Sequence, residues 1–167
     1  MNMEFENKLF AEIEEFFTER GTKVFYDDIE GKKALVMEFG DEGAPEDCTV
    51  SLVDIDDNIT AVNIMFTIMS GLPDSSSDDM DVLLPYLNKY LTVGNFGLMK
   101  DSGYLYFSCA FVVDEFADML QTMTLLLSMW EIADNTAREG IEVIAPVIGG
   151  TVPAVEAAND DSSIIQF

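Results

Sequence analysis

A chain of 167 residues is long enough for one domain with a substantial core, and its 49% hydrophobic content supplies that core without a metal or a disulfide. Thirty-two acidic residues against eight basic ones leave a net charge of −24, which excludes nucleic acid and anionic membrane surfaces as partners, because both demand clustered Lys and Arg. Histidine is absent, which removes His-based triads, most general acid–base schemes and the common zinc sites.

In chain order, residues 3–19 place Phe5, Leu9, Ile13 and Phe16 at helical spacing, with Phe10 and Phe17 widening the stripe. Gly21 is a natural stop. The period then falls to two. Val24 to Ile29 and Lys33 to Phe39 flank a Glu30-Gly31 turn, with Leu35, Met37 and Phe39 on one face. A Gly/Pro/acid-rich loop, 40–47, leads to a strand with Cys48, Val50 and Leu52 on one side. After Asp56-Asp57-Asn58, a long strand carries Val62, Ile64, Phe66 and Ile68 on one face. Four sequential antiparallel strands with one wet face fit this pattern.

Gly71-Leu72-Pro73 ends the last of these strands, and Ser75-Ser76-Ser77-Asp78-Asp79 offers N-caps for a second helix with Leu83, Leu84, Leu87, Tyr90 and Leu91 on its apolar face. Pro85 within it means either a later start, near Val82, or a kink. Asn95 to Lys100 and Tyr104 to Phe111 form a hairpin around Asp101-Ser102-Gly103. Asp114-Glu115 is expected to open a long last helix with Phe116, Met119, Leu120, Met123, Leu126, Leu127 and Trp130 in one stripe and Leu125, Met129 and Ile132 beyond it. Past Gly140, two prolines, Gly149-Gly150 and a run of small residues read as a loose tail docked at 141–147. The expected organisation is therefore one α+β domain over 1–148, in the order α-ββββ-α-ββ-α, and a poorly ordered acidic tail over 149–167.

The motifs that would carry chemistry are missing. Neither Cys48 nor Cys109 sits in a CxxC, and both read as buried thiols of a reducing compartment. Phosphate-cradling glycine loops are absent. Asp54-Ile55-Asp56-Asp57-Asn58 starts like a calcium loop, then fails: Ile59 stands where Gly is needed and Met65 where Glu is needed. A turn between strands is the expected reading. No cofactor and no metal site are expected. The opening MNMEFENKLF has no basic n-region and no uninterrupted apolar run, and the apolar stretch 123–133 is too short to span a bilayer, so no membrane insertion and a cytoplasmic location are expected.

The order of elements resembles the YbjN family, which shares the Tir-chaperone-like fold of type III secretion chaperones. Leu87-Asn88, then Phe96-Gly97-Leu98, the Asp101-Ser102-Gly103 turn, Tyr104-Leu105-Tyr106-Phe107 and Asp114-Glu115 carry the resemblance. It covers about residues 1–135, and Pro85 and the segment past Gly140 depart from it. It implies an acidic, often dimeric α+β protein that handles another protein, with no catalytic residues to transfer. Together with ten methionines and the broad last helix, this leads to an expected non-catalytic binding module. Its partner-binding residues would be Met119, Met123, Leu125, Met129, Trp130 and Ile132, on a homodimer whose partner is basic or offers an extended apolar segment. A carboxylate-only hydrolase and a divalent-metal-responsive protein are the alternatives.

Overall fold

A computed structural model describes residues 3–159 apart from Glu30 and Glu42. The chain is α+β: α1 (Met3–Thr18), β1 (Lys23–Ile29), β2 (Lys32–Glu38), β3 (Asp47–Asp56), β4 (Ile59–Met69), α2 (Ser77–Tyr90), β5 (Asn95–Met99), β6 (Tyr104–Asp114), α3 (Met119–Ile148) and α4 (Ala154–Asn159). The six strands make one antiparallel sheet in the order β1-β2-β3-β4-β6-β5. β6 therefore enters beside β4, and β5 forms the far edge.

The alternation seen in the sequence sets the two faces of the sheet. Leu35 and Met37, Cys48, Val50 and Leu52, Val62, Ile64 and Phe66, and Leu105 and Phe107 line one face and join a single core with the helices. Into that core α1 sends Phe5, Leu9, Phe10, Ile13 and Phe17, and α2 sends Met80, Leu83, Leu84 and Leu87. Among the described residues no helix packs on the opposite face. Two of its cross-strand rows run Asp27, Ala34, Ser51, Asn63, Ala110 and Phe25, Val36, Thr49, Met65, Ser108, Asn95, and the next carries Lys23, Glu38, Asp47, Thr67, Tyr106 and Gly97.

Pro85 neither delays α2 nor divides it: the helix runs from Ser77 through Pro85 to Tyr90. Pro85 and Asp81 both lie on the solvent side, so water can satisfy the Asp81 carbonyl that proline leaves without an amide. No serine side chain caps the helix. A short 3-10 turn, Asp74–Ser76, leads into it instead. Tyr90, assigned to the apolar face by spacing, is exposed; Met80 takes a core position one turn before Leu83 and Leu84.

Two further expectations are corrected at α3. Asp114 ends β6 rather than opening the helix, and its Oδ1 accepts from Phe116 N at 2.9 Å. The true N-cap is Asp118, whose Oδ1 accepts from Leu120 N (2.9 Å) and Gln121 N (3.3 Å). At the other end, residues 141–148 continue the helix rather than forming a loose tail. Pro146 lies in the last turn, and the carbonyl of Pro146 accepts from Thr151 N and Val152 N to close the end. The small residues Ala133, Ala137 and Gly140 form the packing face that lets α3 come close to the sheet.

Part of the expected tail is ordered as well. α4 buries Ala154 and Ala157 and packs on α2 and on the end of α3. Residues 160–167 of that expected tail, and Glu30 of the first hairpin turn, lie outside the described residues.

Candidate functional site

The six residues expected to bind a partner all lie on α3, but the helix divides them. Met123 is buried, and Met119, Met129 and Trp130 pack against the core. Trp130 meets Phe17 (4.8 Å between ring centroids), Phe66 (5.9 Å) and Phe39 (6.3 Å), so its role is to join α1, the sheet and α3. Leu125 and Ile132, seven residues apart, are exposed on one flank of the helix at 42% and 37%.

The opposite flank forms a groove with α1. Its volume is about 590 Å³. Phe16 of α1 and Met119, Leu120, Met123 and Leu127 of α3 supply apolar surface, while Glu12, Glu15 and Glu19 stand along the α1 side with Lys8. Leu120 is 76% exposed, as is Phe116 in the corner that leads into α3. That corner is fixed in place: Glu115 N donates to Asn58 O at 2.9 Å, and the Thr60 hydroxyl donates to Glu115 Oε1 at 2.7 Å. Phe116 thus projects from a tied segment. Arg20 lies beside this rim, its guanidinium stacked over Phe16 at 3.4 Å from the ring centroid and donating to Phe16 O.

Spacing predicted Phe116 and Leu120 as members of the buried stripe, and the structure places both outside it. Phe116 falls outside because α3 starts only at Met119, and Leu120 because of its angle on the helix. The stripe that faces the core is Met119, Met123, Leu126, Trp130, Ala133 and Ala137, and Leu120 lies about 100° around the helix from Met119. A run of apolar residues this dense hides which of them has no covering partner.

Among the described residues no cluster of three or more Cys, Asp or Glu side chains could hold a metal ion. The stretch resembling a calcium loop is a tight hairpin turn: Asn58 adopts a left-handed φ of 66°, and Asp57 N donates to Asp56 Oδ1. Burial raises the Asp47 carboxyl, partly offset by the hydrogen bond from Thr67 Oγ1 (2.6 Å), with Glu46 and Glu38 adding to the rise. Its neighbour Glu46 turns away and accepts from Ser70 N and Oγ, so the two carboxylates do not converge on a common point. Burial pushes the Cys48 thiol well up and the Cys109 thiol to about 11. For Cys48 the nearby Trp130 indole N–H opposes the rise, although that N–H makes no well-aligned hydrogen bond.

No helix among the described residues is long and apolar enough to cross a membrane. No protein-family model matches this chain, and no curated protein matches it.

Proposed function

We propose that this protein is a non-catalytic binding module that engages a partner protein through apolar surface, in keeping with the resemblance to YbjN-like and secretion-chaperone-like proteins. The observation that carries this reading is the groove between α1 and α3. Its apolar floor, the exposed Leu120 and the Glu12, Glu15 and Glu19 rim fit one kind of segment: an amphipathic stretch with apolar anchors and flanking Lys or Arg. An exposed leucine and phenylalanine at a pinned corner cost solubility unless something covers them. The net charge of −24 would draw a basic partner in at long range.

The reading includes a homodimer. The strip of Leu125, Met129 and Ile132 on the other flank of α3 is an apolar patch on which two copies could meet, with Asp118 and Glu139 at its two ends. Light scattering should then give twice the chain mass, and a strict monomer removes the dimer.

The test of partner binding is capture from native lysate by the wild type and by Leu120→Glu. The wild type is expected to retain a protein that the variant loses, and cross-linking should map contact to an apolar segment flanked by Lys or Arg. Equal capture by both proteins, or contact through an acidic segment, overturns the assignment.

A further inference from the structure

The helix-free face of the sheet holds a second concavity, unrelated to the α1–α3 groove. Its volume is about 740 Å³, within the range of small-molecule sites, roughly 300–1,000 Å³. Ile29 on edge strand β1 and Met99 on edge strand β5 both line it, so the sheet curls into a trough whose two edges face the same space. The curl explains why Thr49 is only 7% exposed, and Ala34 fully buried, with no helix above them.

The floor has an unusual composition for this chain. Thr49, Ser51, Asn63, Tyr106 and Ser108 stand on it, and none of the residues lining the trough is charged, although 24% of the chain is. None of these five side chains makes a hydrogen bond to another described residue. Ser51 and Asn63 are direct cross-strand neighbours, and Thr49 and Ser108 lie in the adjacent row two strands apart. Such a sheet presents hydroxyl and amide groups on a lattice of about 5 Å across strands and about 7 Å along them. The Tyr106 ring lies across its cross-strand partner Gly97, occupying the space a Cβ there would need, and so adds a flat apolar surface at one end.

The chemistry narrows the occupant. An anion would enter against the field of a chain at −24, and none of the lining residues offers a cation a carboxylate, the nearest on this face being Asp27 and Asp47 beyond the lining. A purely apolar ligand would bury the Thr49, Ser51, Asn63 and Ser108 groups without partners, each at the cost of its lost hydration. A peptide strand bonds to the edge of a sheet, whereas these groups stand on its floor. A second copy fits poorly because two concave faces meeting would enclose a void. What remains is an uncharged molecule with several hydroxyl or amide groups and some C–H surface.

We propose that the trough is a binding site for a short neutral oligosaccharide. Its hydroxyls would exchange hydrogen bonds with Thr49, Ser51, Asn63 and Ser108, while the C–H face of a ring rests on Tyr106. The full chain would be titrated, by amide NMR and calorimetry, with maltotriose, cellotriose and N,N′-diacetylchitobiose. At least one should bind and shift amides of β3, β4 and β6. Asn63→Asp and Ser108→Asp, each checked for folding by circular dichroism, should weaken that binding tenfold or more, while Leu120→Glu leaves it unchanged. If none of the three sugars shifts those strands, or if the same amides respond to protein concentration instead of sugar, the proposal fails. In the second case the trough is covered by another copy of the chain. Neither result bears on the α1–α3 groove, which Leu120→Glu tests separately.

Discussion

Replacing Gly140 by alanine separates helix propensity from packing. Alanine in the middle of α3 should favour the helix by about 1 kcal/mol over glycine. Against this, a Cβ at position 140 would run into the end of the Phe96 ring. That ring cannot give way easily: Phe96 is 2% exposed, its ring packs on Phe107 at 5.0 Å, and Asn88 holds its main chain at both N and O. Overpacking a core of this kind costs about 1–3 kcal/mol, and a ring held on three sides belongs near the top of that range. The net expectation is a loss of about 1–2 kcal/mol, because the propensity gain offsets only part of it. For a chain of this length the melting point should fall by about 3–6 °C. Urea denaturation followed by far-ultraviolet circular dichroism measures the loss. Phe96→Leu removes the obstructing ring atoms, so the double variant should be more stable than the sum of the single losses predicts, by about 1 kcal/mol. A Gly140→Ala variant as stable as the wild type, or simple additivity with Phe96→Leu, would refute the close approach of α3 to β5.

Asn88 accepts from Phe96 N at 2.7 Å and donates to Phe96 O at 2.8 Å, so Asn88→Ala should cost about 2–3 kcal/mol in the same urea assay by leaving two half-buried backbone groups unpaired. Asp118→Ala should cost about 1 kcal/mol through loss of the α3 cap, with helix content reduced only at that end. For Asp47 the folded-state pKa lies above its ordinary 3.8, chiefly through burial, so the folded form holds its proton more tightly. Its contribution to stability is thus greatest below 3.8 and is lost as pH rises through the folded value; Asp47→Asn should flatten that part of the acid stability profile without loss at neutral pH. Cys48 and Cys109 are both buried with raised pKa values, so neither should react with a thiol reagent at pH 8 until the protein unfolds.

Much of the fold could be read from periodicity, because in this chain the apolar period tracks burial through most of the sheet and through α1. Val62, Ile64 and Phe66 share a face with Leu52, Val50 and Cys48 because a two-residue period permits no other arrangement once one face is buried, and the period breaks only at Ile68, where the register with β6 shifts. The reading failed where small residues act as contacts. Ala133, Ala137, Gly140, Ala154 and Ala157 carry little hydrophobic signal, yet they are the surfaces that bring α3 close to the sheet and α4 close to α2. Pro146 was misleading for a related reason: a proline in the last turn removes one hydrogen bond near a helix end that is already capped from beyond. The groove was half legible. Met119 and Met123 line it, Trp130 is half-buried against the core through its ring contacts, and nothing in a run of leucines distinguishes Leu120 from Leu126. The trough was not legible at all, since Thr49, Ser51, Asn63 and Ser108 read as an ordinary wet face until the curl of the sheet brings both edges around them.

Trp130 is the single tryptophan of the chain, and it touches α1 through Phe17, the segment after β2 through Phe39, and β4 through Phe66. The indole therefore gives the molecule a native optical gauge at the joint between α1 and α3. Filling the groove beside that joint should alter its emission without any label, whereas filling the trough on the far side of the sheet should leave the spectrum still. One chromophore thus tells apart, in a single cuvette, which of the two concavities a given molecule has entered.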